Sequence, residues 1–174
     1  MRLFFAVWPD EPAARALEVL AAALADVAGG KPVPREKIHL TLAFLGEVGE
    51  ERLGLALGAA AAVRGRAFRL QLDEVGSFGR AGVGWAGASK PPAELATLQS
   101  ALAVALAAGG FALDERPFAP HVTLARRLAR PVPRAPTDAI AWSAREMTLV
   151  LSETGTGRYV VMERWPLEAA GETR

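Results

Sequence analysis

The chain has 174 residues, 51% of them hydrophobic, and a net charge of +1. That length fits one large domain or two small lobes, the apolar content excludes disorder, and the charge alone does not demand a nucleic-acid partner. No cysteine is present, which excludes disulfides, thiolate nucleophiles and cysteine metal sites and is compatible with a reducing cytosol.

The opening MRLFFAVWPDEP has too short an apolar run for a signal peptide. The longest apolar run, Leu53 to Val63, falls short of the roughly 18 residues that a spanning helix needs. A soluble cytoplasmic protein with no membrane partner is expected. Leu3 to Trp8 reads as a central strand. Asp10 offers an N-cap to a helix whose Leu17, Leu20, Leu24 and Val27 recur at helical spacing, and Gly29-Gly30 stops it. A loop with Pro32 and Pro34 leads into KIHLTLAFLG, Lys37 to Gly46, a strand. A second helix is predicted over 50–64, with Leu53, Leu57 and Ala60 on one face. FRLQLDEV alternates as a half-exposed strand, and GVGWAGA, from Gly82, is a weaker strand because of its glycines.

The opening order then returns. Pro91-Pro92 precede a helix carrying Leu95, Leu98, Leu102 and Leu106, Gly109-Gly110 stop it, and a Pro-containing loop leads into PHVTLARR. Strand, helix, Gly-Gly, loop and HxT strand therefore occur twice, which suggests an internal duplication with two similar lobes in one chain over 1–174. REMTLVLSE and GRYVVMERWPL read as a closing strand pair with Gly155 and Gly157 in the turn. The stretch from Arg130 to Asp138, RPVPRAPTD, is linker-like. Arginine outnumbers lysine, 17 to 3, and Arg126, Arg127, Arg130 and Arg134 cluster. Arginine suits forked phosphate contacts, but a solvated loop reads equally well from charge patterning.

On a strand, residues i and i+2 share a face. His39 and Thr41 therefore point together, with Leu40, Leu42 and Phe44 opposite. His121 and Thr123 point together, with Val122 and Leu124 opposite. A lone strand histidine is ordinarily structural. Here the only two histidines of the chain both sit in HxTL strings and occupy the same slot of a repeated unit. Facing each other across a cleft, two imidazoles would supply an acid and a base for in-line displacement at phosphorus, and two hydroxyls would steady the non-bridging oxygens. Metal binding is not expected, because neither HxT strand has an in-face Asp or Glu nearby: Glu36 and Glu47 flank the first, and Asp114 and Glu115 precede the second. GRAGVG lacks the ending of a P-loop, and Ser152 has no nucleophile motif around it.

With these motifs, and with RLFFAVWPDE, HLTLAFLGEV, FGRAGVGWAG, FAPHVTLAR and GRYVVMERWPL in this order, the sequence resembles the two-histidine phosphoesterase superfamily. Within it the resemblance is to the RNA 2′,3′-cyclic phosphodiesterases, historically called 2′-5′ RNA ligases. The resemblance implies an α+β bilobal fold, with two antiparallel sheets related by a pseudo-two-fold axis flanking a cleft and helices outside. It implies hydrolysis of a terminal RNA 2′,3′-cyclic phosphate to a 2′-phosphate without metal or cofactor. By matching motif positions, His39 would be the proton donor, His121 the proton acceptor, and Thr41 and Thr123 the phosphate holders. Arg126 would be an additional phosphate contact, sharing the Thr123 side if the strand runs straight through Ala125. The expected partner is RNA with a 2′,3′-cyclic end, tRNA fragments among them, and a monomer is expected. One departure is KPVPREKIHL, where family members often carry an aromatic and an Asn. The rival activities are 2′-5′ joining of RNA ends and hydrolysis of a small cyclic nucleotide. The non-enzymatic rival, an RNA-binding α+β module, would need stacking aromatics on an exposed sheet face. Aromatics are only 7% of the chain, and Phe4, Phe5 and Phe44 lie in strands that read as buried.

Overall fold

The computed structural model describes residues 1–170. The chain opens with strand β1 (Arg2–Val7) and helix α1 (Glu11–Ala28). Asp10 caps α1 as expected: its Oδ1 accepts the Ala13 N–H at 2.9 Å. Gly29, at φ 71°, closes the helix in the left-handed conformation that glycine tolerates best. The loop after it contains a two-residue strand, β2 (Lys31–Pro32), and a 3₁₀ turn, Arg35–Lys37. Strand β3 (Leu40–Glu47) follows, so His39 stands one residue ahead of the strand rather than within it.

The second predicted helix begins with a 3₁₀ turn, Glu50–Arg52, and continues as α2 (Leu53–Ala62). Next come β4 (Phe68–Phe78), β5 (Val83–Gly87), α3 (Ala93–Ala108) and β6 (His121–Arg126). Leu95, Leu98, Leu102 and Leu106 of α3 are all fully buried, as their spacing requires. The stretch read as a linker is partly wrong. Its last four residues start β7 (Ala135–Ala144), a strand the sequence did not announce. β7 pairs only with β4, so Pro136 lies on a sheet edge, where a missing N–H is tolerated. The hairpin of β8 (Glu146–Ser152) and β9 (Tyr159–Pro166) closes the fold, with Gly155 and Gly157 at positive φ in its turn.

The strands run in the order β7-β4-β5-β6-β3-β1-β8-β9, with every neighbouring pair antiparallel. The middle of this order is held by a single residue pair, Leu40 of β3 with Val122 of β6. Two four-stranded antiparallel sheets therefore meet at one point. β2 takes the rest of the same edge of β6, pairing Lys31 with Arg126 and Pro32 with Ala125.

The helices cover one face, where Leu3, Phe5, Val7, Leu40, Val122 and Leu124 join one large core. β1 is apolar on both faces because a second, smaller cluster of Phe4, Ala6 and Val150 lies on the opposite side, flanked by Trp8, Tyr159 and Val161. Thr148 is wholly buried there and satisfied: its hydroxyl donates to the Ala6 carbonyl at 3.2 Å and accepts from Trp8 Nε1 at 2.9 Å.

Candidate active site

The site is built on the Leu40–Val122 pair. Both of these side chains are buried in the large core. Their neighbours one residue away must point to the other face. Antiparallel register then sets His39 beside Thr123 and Thr41 beside His121. The two HxT motifs thus lie head to tail on the face away from the helices.

Each imidazole is tethered in the same way. His39 Nδ1 lies 2.7 Å from the Lys37 carbonyl, and His121 Nδ1 lies 2.8 Å from the Ala119 carbonyl. A carbonyl only accepts, so each Nδ1 carries a proton and each Nε2 is the atom free to gain or lose one. His39 Nε2 sits 2.9 Å from Thr41 Oγ1. In neutral His39 that hydroxyl donates to Nε2; in the imidazolium, Nε2 donates to the hydroxyl.

The two histidines differ in their surroundings. The His39 ring stacks on Phe4, with centroids 4.7 Å apart, and Trp8 and Tyr159 lie at 5.1 and 5.6 Å. This burial pulls the His39 pKa down from 6.5 to about 4. Its hydrogen bond to Lys37 works the other way, and the charges of Arg126 and His121 add to the lowering. His121 meets one aromatic ring, the half-exposed Phe78, edge to face at 5.1 Å.

Arg126 is turned to the same face, but not for the reason expected. β6 does not run straight through Ala125. Its pairing with β5 skips a residue between Thr123 and Ala125, so Leu124 and Ala125 are both buried. That bulge carries Arg126 round to the Thr123 side, in keeping with its charge being felt at His39. A bulge also corrects the reading of Phe44. β1 pairs with β3 as Phe5 with Ala43 and Ala6 with Thr41, skipping Leu42. Phe44 pairs with Phe4 on the Thr41 side, is 48% exposed, and has the Arg2 guanidinium 5.1 Å from its ring centroid.

The sequence profile of the 2′-5′ RNA ligase superfamily matches residues 6–155. The chain belongs to that superfamily. It is 37% identical to the RNA 2′,3′-cyclic phosphodiesterase of Escherichia coli K12 over 172 residues, covering 95% of this chain and 96% of the relative. It is 37% identical to the Thermus thermophilus protein of the same name, covering 96% and 90%. Among solved structures, E. coli LigT complexed with 3′-AMP superposes with a TM-score of 0.87 at 34% identity, covering 95% of this chain and 97% of that one.

The aromatics beside the two imidazoles, Trp8, Tyr159 and Phe78, are site neighbours that the sequence reading does not single out. The signal for Trp8 was present: Phe4, Ala6 and Trp8 alternate with Leu3, Phe5 and Val7, so an apolar strand with two buried faces should carry one set toward the site. Tyr159 and Phe78 come from strand ends whose placement needs the sheet order. Among the described residues, no group of three or more His, Asp or Glu side chains converges as metal ligands would. No helix among them is long and apolar enough to cross a membrane.

Proposed function

We propose that this chain hydrolyses terminal RNA 2′,3′-cyclic phosphates to 2′-phosphates by metal-independent acid–base catalysis. The observation that carries the reading is the Leu40–Val122 register, which sets two tethered imidazoles and two hydroxyls on one face. Relatives matching 95% and 96% of the chain bear the name of this activity.

In the proposed step a water oxygen bonds to phosphorus while His121 Nε2 takes its proton. The P–O3′ bond breaks, the electron pair leaves with O3′, and His39 Nε2 supplies the proton that completes the 3′-hydroxyl. The Thr41 and Thr123 hydroxyls and the Arg126 guanidinium hold the non-bridging oxygens as charge builds on them. Burial keeps His39 neutral in the free site at pH 7. An anionic phosphate arriving beside it favours the imidazolium, so substrate helps to load the acid it needs.

Each lobe of the proposed bilobal domain contributes one HxT motif, as a duplicated unit would. The proposed setting is a monomer in the cytoplasm acting on RNA ends, tRNA fragments among them. The test is to incubate the protein with an RNA bearing a 2′,3′-cyclic end and identify the product isomer. A 2′-phosphate is expected. A 3′-phosphate, or no turnover, overturns the reading.

A further inference from the structure

Of the clustered arginines, two have structural work. Arg134 pairs with Glu74, and Arg130 Nη2 donates to the Val27 carbonyl at 2.7 Å, near the end of α1. Arg126 is different. Its direct partner across the strands is another cation, Lys31 of β2. Directly opposed residues share a face, and like charges so placed repel. Both side chains are exposed, and neither forms an ion pair among the described residues.

Lys31 follows the C-terminus of α1, where a cation could simply offset the helix dipole. That need is already met. Arg130 takes the Val27 carbonyl, and the Ala129 and Arg130 amides take the Ala28 carbonyl at 3.0 Å each. The pair instead extends the active-site face. Arg126 is felt at His39, and Lys31 stands one strand beyond it on the same side. Adjacent strands lie about 5 Å apart, so Lys31 stands one strand spacing beyond Arg126, and its flexible four-carbon stem reaches farther still. That places an ammonium within reach of the phosphate next to one held by Arg126.

We propose that Lys31 binds the internucleotide phosphate immediately 5′ of the reacting end, so that the enzyme selects RNA strands over nucleoside cyclic phosphates. The proposal rests on the reaction proposed above. With Arg126 on the cyclic phosphate and Lys31 on the strand's next phosphate, each cation gains an anionic partner and their repulsion is relieved. A mononucleotide has no such group.

The test uses Lys31→Glu and Lys31→Arg in the full chain. Each is measured with a nucleoside 2′,3′-cyclic phosphate and with a short oligoribonucleotide ending in one. Binding is measured separately with a labelled oligoribonucleotide ending in a 2′-phosphate. Lys31→Glu should lose about tenfold more kcat/KM on the oligonucleotide than on the mononucleotide, and Lys31→Arg should restore most of it. The slope of log affinity against log salt for the labelled strand should fall by about 0.7. Equal losses on both substrates, or an unchanged salt slope, would overturn the assignment. If no variant and no wild-type protein turns over either cyclic substrate, the proposed reaction fails, and the binding measurement still decides Lys31.

Discussion

The protonation of His39 is the most exposed part of the mechanism to experiment. The ring is stacked on Phe4 and bordered by Trp8 and Tyr159, and its pKa falls from 6.5 to about 4. At ~1.36 kcal/mol per pH unit, that difference is about 3 kcal/mol in favour of the neutral ring. Near pH 7 only about one free molecule in a thousand then carries the proton. The sign for stability follows from the lowered value. The unfolded chain binds this proton more readily than the folded one, so stability is fully present above about pH 6.5 and is lost as pH falls toward 4. Because the chain has only two histidines, nitrogen-detected NMR resolves both titrations, and His39→Ala and His121→Ala assign them. The expected result is one ring titrating well below 6.5 in the free protein and moving upward when a nucleoside 2′-monophosphate is added. Chemical unfolding at pH 7 and pH 4.5 should show wild type losing more stability than His39→Gln. A His39 that titrates at 6.5 or above without ligand, or that ignores the bound phosphate, would refute the argument from burial.

Replacing Thr41 or Thr123 by Val keeps the β-branched shape and removes the hydroxyl; kcat should fall on the order of 10²-fold with the far-ultraviolet spectrum unchanged, and full activity in both variants would reduce the hydroxyls to strand formers. Activity should survive EDTA, and loss on chelation reversed by one divalent ion would count decisively against the two-histidine mechanism. His39→Ala should be far less impaired on a nucleotide nitrophenyl phosphodiester than on the cyclic phosphate, because an acidic leaving group needs little protonation, whereas His121→Ala should be impaired on both. Comparing kcat/KM losses as free energies reads this out, and rescue of His121→Ala alone would reverse the assignment of acid and base.

Most of this architecture was legible because local signals and burial agree. Asp10 and Gly29 bound α1 where their cap chemistry requires, and the leucines of α3 face the core. The HxT faces also read correctly, since Leu40 and Val122 are buried and their neighbours are not. What the sequence hid were departures from period two. The bulges at Leu42 and Leu124 turn Phe44 and Arg126 to the site side, and alternation counted straight along either strand gives the wrong face. β7 was hidden by three prolines just ahead of or within its start. The glycines that weakened the β5 reading, and Gly76 of β4 beside them, are explained by packing. A Cβ on Gly76 would overlap the Trp85 ring, and one on Gly84 would overlap Leu24 of α1.

The asymmetry between the two copies gives the proposed roles a physical basis. The tethers are the same, Nδ1 on the carbonyl two residues back, so both rings offer Nε2. Only the surroundings differ. His39 has three aromatic neighbours and a hydroxyl at Nε2, whereas His121 has Phe78 at its edge. A desolvated imidazolium is a stronger acid than a solvated one, because losing its proton also relieves the cost of its charge. Such a group suits the departing 3′-oxygen, a basic leaving group that must gain a proton as its bond to phosphorus breaks. The proposed role requires that something charge the ring first, and in that proposal the substrate phosphate is the anion that does so. In the proposed mechanism the same HxT string therefore serves both halves of the reaction, with Phe4, Trp8 and Tyr159 around one imidazole and Phe78 at the edge of the other as the difference between them.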